Sequence, residues 1–271
     1  MKGDFLMGEA IVITSGKGGV GKTTTTANIG TALALMDKKI CLIDTDIGLR
    51  NLDVIMGLEN RIIYDIVDVI EGRCKLQQAL IQDKRFESLS LLPAAQTSDK
   101  SAVTTDGMEQ IVAELKQDYD YIIIDCPAGI EQGFQNAVAG ADQAIVITTP
   151  EKSSVRDADR IIGLLEQYDM ERPRLVINRI RHHMMKDGDM LDIDNIIQIL
   201  SIDLIGIVMD DDEVIKASNQ GEPIALKSNS KASIAYRNIA RRILGESVPV
   251  QSLEDERGLF HKMKKFFGMR S

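Results

Sequence analysis

Residues 16–24 read GKGGVGKTT: Gly16, four residues, then Gly21, Lys22 and Thr23. This is phosphate-loop spacing, G-x4-G-K-[ST]. Lacking Cβ atoms, the glycines let backbone N–H groups turn inward around phosphate oxygens. Lys22 has the charge and reach for β- and γ-phosphates, and the Thr23 hydroxyl suits Mg²⁺. Gly16, Lys17, Gly18, Gly19, Val20, Gly21, Lys22, Thr23 and Thr24 are therefore the expected nucleotide cradle. A helix beginning here aims the positive end of its dipole at the same anion.

Two apolar runs end in carboxylates. Residues 40–46, ICLIDTD, end in Asp44 and Asp46, and within YDYIIIDCPAGI (119–130) the run ends in Asp125. Ligands of open parallel sheets gather at the carboxyl ends of strands, so all three aspartates fall near the phosphates. A carboxylate there can hold Mg²⁺-bound water or orient an attacking water. The plainer alternative for Asp44 and Asp46 is a turn with Asp caps. Asp125, ending its own strand after a phosphate loop, has the Walker B position, with Mg²⁺ held through water. The expected metal set is Thr23, Asp46 and Asp125. A further run, RLVINRI (174–180), reads as a strand ending at Asn178. Guanine readers need an aspartate in an N-K-x-D or T-K-x-D pattern there. This chain has Asn178, Arg179, Ile180 and Arg181, which favours adenine, with Asn178 and Arg179 as candidate contacts.

These residues need a scaffold of buried strands. Residues 10–14, AIVIT, read as a parallel strand and 22–36 as the helix after the loop. Two short helices around Gly72 (61–81), a strand at 89–93 and a helix at 105–118 follow. Residues 142–150 read as a strand and 153–169 as an amphipathic helix turning Ile161, Ile162, Leu164 and Leu165 inward. A helix at 192–200, a last strand at 203–210 and helices at 212–219 and 231–244 complete the body. RHHMMKDGD reads as a polar loop whose adjacent His182 and His183 share no face for a metal. The expected fold is α/β, a mostly parallel twisted sheet with helices on both faces.

With 271 residues, 44% of them hydrophobic, the chain suits one large α/β domain. A net charge of −9 argues against broad binding to nucleic acid, which runs on phosphate neutralisation by Lys and Arg. Cys41, Cys74 and Cys126 have no metal spacing, and an odd count without a framework suits a reducing cytoplasm. Cys41 and Cys126 read as buried thiols. The first strand begins by residue 10 with no h-region before it, so no signal peptide is expected, and Met7 is an alternative start. No apolar run approaches 18 residues.

The body is expected to span residues 8–250, with a polar linker at 251–257. Residues 258–271, GLFHKMKKFFGMRS, place Leu259, Phe260, Met263, Phe266 and Phe267 on one helical face. Lys262, Lys264, Lys265 and Arg270 fill the rest. This pattern reads as an interfacial helix for anionic lipid, the alternative being a helix docked on the body. One such helix binds weakly, so stable membrane association needs a second, which a dimer supplies.

The run KGGVGKT resembles the deviant Walker A motif of the MinD/ParA ATPase family. DTDIGLRNLD (44–53) resembles its switch I, CPAGIE its switch II, and ASNQGEP (217–223) a further family segment. The likeness runs from residue 8 through the tail. It implies a P-loop NTPase fold, with ATP and Mg²⁺ as cofactors. It implies that Lys17 contacts nucleotide in the partner subunit of an ATP-dependent homodimer; the bland alternative is a solvated lysine. It assigns Asp46 to the hydrolytic water, Asp44 to the same network and Asn51 to an active-site contact, with Arg50 read as a surface residue. It gives Asp157 and Asp159 to a partner surface. It also implies division-site selection: an ATP-bound dimer on the inner face of the cell membrane recruits MinC, which blocks FtsZ assembly. MinE or another topological factor acts beside it, and hydrolysis returns the protein to the cytoplasm. The rival readings are a ParA-type DNA-partitioning ATPase, a flagellar-number regulator and an iron–sulfur carrier. The first calls for a basic body without an amphipathic tail, and the last for cluster cysteines this chain lacks.

Overall fold

The computed structural model describes residues 7–250. Its strands are β1 (Glu9–Thr14), β2 (Ile40–Asp44), β3 (Ile81–Gln82), β4 (Leu89–Leu92), β5 (Tyr121–Asp125), β6 (Gln143–Thr148), β7 (Arg174–Ile180) and β8 (Asp203–Met209). They form one sheet in the order β3-β4-β2-β5-β1-β6-β7-β8, parallel except for β3 against β4. Helices precede or follow nearly every strand. They are α1 (Lys22–Ala34), α2 (Leu52–Met56), α3 (Ile66–Ile70), α4 (Leu76–Ala79), α5 (Thr105–Leu115) and α6 (Gln132–Ala139), then α7 (Lys152–Glu166), α8 (His182–Lys186), α9 (Ile193–Leu200), α10 (Asp212–Asn219) and α11 (Lys231–Ile243).

Alternation along the strands sorts side chains into two cores. On β1, Ala10 and Val12 join one core while Ile11 and Ile13 join the other; on β5, Ile122 and Ile124 oppose Ile123. The first core is closed by α5, α6, α7 and α9, the second by α1, α2, α10 and α11. Both faces are covered, so the central strands are apolar throughout. The same burial fills α1 with small residues, because it runs between the sheet and α11.

Four readings need correction. The strand read as 40–46 ends at Asp44, because the Asp44 carboxylate accepts the next turn's amides and breaks the ladder. The 174–180 strand continues past Asn178 to Ile180, through a register shift against β8 where Arg179 adopts φ 55°. RHHMMKDGD is not all loop: His182–Lys186 form α8, which has no fully buried residue and touches the first core only through the partly buried Met185, too little for an apolar signature. Leu164 is only half-buried on α7, while Ile161, Ile162 and Leu165 are buried. Three elements were unread. β3 is two residues long, α2 is five, and α6 covers the first core with Phe134, Ala137 and Val138.

Candidate nucleotide site

The loop between β1 and α1 sits at the carboxyl end of the central strand. Gly21 has φ 99°, and a Cβ there would strike Asn178 Nδ2, so this position admits glycine only. Asn178 is buried beneath the loop: Nδ2 donates to the Val20 carbonyl at 2.8 Å and Oδ1 accepts from the Arg179 amide at 2.9 Å. The expected base contact is thus also a strut of the phosphate loop. Arg179 is exposed beside it.

The two lysines of the motif have different surroundings. Lys22 is buried, and its ammonium donates to Ser15 Oγ at 3.1 Å. Ser15 in turn donates to the Lys17 carbonyl at 2.9 Å. The Lys17 ammonium leaves the loop and donates to Glu151 Oε2 at 2.8 Å and Ser153 Oγ at 3.2 Å, at the start of α7. Gly18 and Gly19 between them are exposed, Thr23 and Thr24 half-buried.

Asp44 and Asp125 are register partners at the ends of β2 and β5, each 1% exposed. Asp125 Oδ1 accepts from Thr26 Oγ1 at 3.2 Å, and the Thr23 hydroxyl also bonds this carboxylate. Asp44 accepts from the Asp46 amide at 2.9 Å on one oxygen, and from the Asn51 and Leu52 amides at 3.2 and 3.1 Å on the other. Burial pushes both carboxyls above their ordinary range, and for Asp125 the Asp44 charge comes next. Two buried carboxylates beside a phosphate loop, one bonded to Thr23, form a donor set that fits Mg²⁺ with ATP.

Asp46 is half-buried and its carbonyl takes the Leu49 and Arg50 amides. Thr45 before it donates to the Asp125 carbonyl at 2.6 Å, tying the segment after β2 to the end of β5. Between those segments lies a small cavity of about 40 Å³, lined by Thr45, Asp46, Pro127, Ala128 and Phe134 among others. Asn51 meets Asp44 through its backbone while the residue stays exposed. Arg50 is not a surface residue. Its side chain is 14% exposed and its Nε lies 2.9 Å from the buried Asp53, because φ 36° turns it inward. On α7, Asp157 is half-buried and Asp159 exposed.

Ser15, Thr26, Glu151 and Ser153 were missed. Thr26 lies three residues after Thr23, so helical spacing places it on the same face. Ser15 adjoins the motif. Glu151 and Ser153 carry no local signal, since their link to Lys17 spans more than 130 residues. The tail residues Leu259, Phe260, Lys262, Met263, Lys264, Lys265, Phe266 and Phe267 lie outside the described residues. Among the described residues no helix is long and apolar enough to cross a membrane.

The family described as an AAA domain matches residues 8–177. The septum site-determining protein MinD of Bacillus subtilis is 72% identical over 98% of this chain and 100% of its own length. The MinC:MinD cell division protein complex of Aquifex aeolicus contains a chain 52% identical, with TM-score 0.84 over 90% of this chain and 99% of that one. The septum site-determining protein MinD of Pyrococcus horikoshii, complexed with Mg-ADP, is 26% identical, with TM-score 0.81 over 89% of this chain and 100% of that one. With identity this high over nearly its whole length, a phosphate loop carrying a second lysine and a parallel sheet to support it, the chain belongs to the MinD family of septum site-determining ATPases.

Proposed function

We propose that this chain is a dimerising, Mg²⁺-dependent ATPase of division-site selection, which binds membrane in its ATP form, recruits MinC there, and lets go on hydrolysis. ATP and Mg²⁺ are its cofactors. The observation that carries the reading is the opposed placement of two lysines on one loop. Lys22 is buried against Ser15 within the loop, while Lys17 extends to the surface at α7. One lysine serves the chain's own nucleotide, and the other, once it leaves Glu151 and Ser153, serves a neighbour's. The solved relative in complex with MinC supports the partner.

In the proposed mechanism Lys22 and the loop amides bind the β- and γ-phosphates, and Asn178 and Arg179 face the base. Thr23, Asp46 and Asp125 are the residues that would hold Mg²⁺, which when bound would neutralise charge on the phosphate oxygens. Asp46 orients the attacking water. Asp44 acts through the backbone, holding Asp46, Asn51 and Leu52 in register by three amide hydrogen bonds. Lys17 from the partner stabilises charge on the transferred phosphoryl group, a contribution of on the order of 10³–10⁵ in rate for comparable arginine fingers. Residues 8–250 form the catalytic body, 251–257 a linker and 258–271 a membrane helix. Two such helices on one dimer bind far better than one, with avidity gains on the order of 10²–10⁴. MinE or another topological factor would set where hydrolysis occurs.

The test is co-sedimentation with anionic liposomes, in ATP–Mg²⁺ and in ADP, for the full chain and for one ending at Arg257. The proposal expects pelleting of the full chain alone and with ATP alone, and MinC carried down with it. Pelleting that ignores nucleotide overturns the coupled switch.

A further inference from the structure

The β3–β4 hairpin carries no part of the nucleotide motif, yet its turn reaches the segment after switch I. Arg85 in that turn grips Asp83, with Nε 2.9 Å from Oδ1 and Nη2 2.6 Å from Oδ2. The Asp83 side chain is fully buried and that of Arg85 is 27% exposed. The fork is therefore pre-set by a carboxylate that has no access to water. Its remaining donors go to two backbone carbonyls from distant parts of the chain: Nη2 to Met56 at 2.8 Å and Nη1 to Gly221 at 3.2 Å.

Those carbonyls belong to two adjoining segments that lead back to different parts of the site. Met56 ends α2, whose first turn receives Asp44: the Asn51 and Leu52 amides both donate to its carboxylate. A helix of five residues does not hold itself in water, so its ends must be fixed from outside. Asp44 fixes one end and Arg85 the other. Gly221 lies in the ASNQGEP segment, and the chain beyond it returns to the phosphate loop's own helix. The Ala225 amide donates to Asn28 Oδ1 at 2.8 Å, and Asn28 Nδ2 donates to the Thr24 carbonyl at 2.7 Å. Between the two sides the backbones touch. A Cβ on Gly57 would lie 2.8 Å from the Gly221 carbonyl oxygen, and one on Gly221 would lie 2.7 Å from Gly57 Cα. Both glycines have φ 67°. Nothing larger fits, and the guanidinium that joins the two segments bonds the same Gly221 oxygen.

We propose that Arg85 is a positioning residue for hydrolysis: by joining Met56 to Gly221 it fixes α2 against the segment that leads back to α1, and so places the amides on which Asp44 holds residues 46–52. This rests on the ATPase reading above. Arg85 touches no phosphate and no reacting atom. Its hydrogen bonds go to Asp83, Met56 and Gly221 and to none of Lys22, Thr23 and Asp125. The loss is therefore in turnover and not in nucleotide binding.

The experiment compares wild type with Arg85→Met, which keeps an apolar stem, and Arg85→Lys, which keeps the charge without the fork. Steady-state ATPase is read at several protein concentrations with liposomes present, alongside amide hydrogen exchange. For Arg85→Met the expected result is a kcat lower by about tenfold, with KM for ATP changed by less than about twofold. Exchange at Asn51 and Leu52 is expected to quicken by about tenfold or more, while amides of α1 between Thr25 and Ala34 stay protected. Arg85→Lys falls between wild type and Arg85→Met. An unchanged kcat in Arg85→Met beside an active wild type overturns this inference alone. So does a joint rise in KM and in α1 exchange, which marks general loosening. A wild-type chain without ATPase activity overturns the reading of the site and this inference with it.

Discussion

Lys17 Nζ lies 2.8 Å from Glu151 Oε2, and this ion pair holds the loop's second lysine against α7 of its own subunit. A lysine that serves a neighbouring subunit's nucleotide must leave that partner. Both side chains are partly exposed, 39% and 52%, so the pair is worth only about 0–1 kcal/mol. A dimer releases two such pairs, so Glu151→Gln should favour the ATP-bound dimer, by up to about 30-fold in the dimerisation constant at low salt. The effect should fade at high salt, where surface charge is screened. Analytical ultracentrifugation in ATP–Mg²⁺ measures it, and a weaker dimer in the variant would count against Glu151 as a restraint.

The two lysines should also separate in their mutants. Lys22 is buried inside the loop, and Lys22→Met is expected to weaken both ATP and ADP binding by about 100-fold or more. Lys17→Met removes nothing from the chain's own cradle, so ADP affinity should stay within about threefold while ATP-dependent dimerisation and turnover are lost. Isothermal titration with ADP, paired with an ATPase assay, distinguishes them. Equal loss of ADP affinity in both variants would contradict a role for Lys17 across the dimer.

Asp44 and Asp125 face each other in register at the ends of β2 and β5, both out of water. After burial, the Asp44 charge is what most raises the cost of charging Asp125. Asp125→Asn should consequently stabilise the nucleotide-free chain, by on the order of 1 kcal/mol or a few degrees in Tm. It should reduce the additional stabilisation that Mg-ATP brings over ATP with EDTA. Thermal denaturation in the four conditions reads both effects. A lowered Tm in the nucleotide-free variant would mean that the Thr23 and Thr26 hydrogen bonds outweigh the repulsion.

Apolar runs made β1, β2, β5, β6, β7 and β8 readable, because strands buried on both faces need no alternation and leave continuous stretches such as AIVIT and YIIID. The phosphate loop and its carboxylates were readable for a related reason. They sit at strand ends, and strand ends are visible. What failed was structure held from a distance. β3 pairs through two residues, α2 is five residues bonded at its ends to Asp44 and Arg85, and α8 has no fully buried residue. Arg50 was misread because a charge suggests solvent, whereas here a left-handed backbone turns it onto the buried Asp53. No local pattern reports the link from Lys17 to Glu151 or the grip of Arg85 on Gly221, since both join segments more than 130 residues apart.

Glu9 begins β1 at the end of the sheet away from the phosphate loop, which lets its titration be read without the nucleotide site. Partial burial pushes its carboxyl above the usual glutamate value; Asp142 adds to this, and Arg174 and Lys116 oppose it. The raised value means that the folded chain holds this proton more tightly than the unfolded chain does. Its contribution favours folding below the unfolded glutamate pKa and is lost as pH rises through the folded value. Glu9→Gln keeps the shape and removes the charge. The variant should have the higher Tm at pH 7, and the difference should shrink as pH falls toward 4, where the wild-type carboxyl is protonated too. Thermal melts of both chains across that range, in a non-coordinating buffer at constant ionic strength, test the sign. A variant less stable than wild type at pH 7 would show that the attraction to Arg174 outweighs burial, and that this end of the sheet is held by charge.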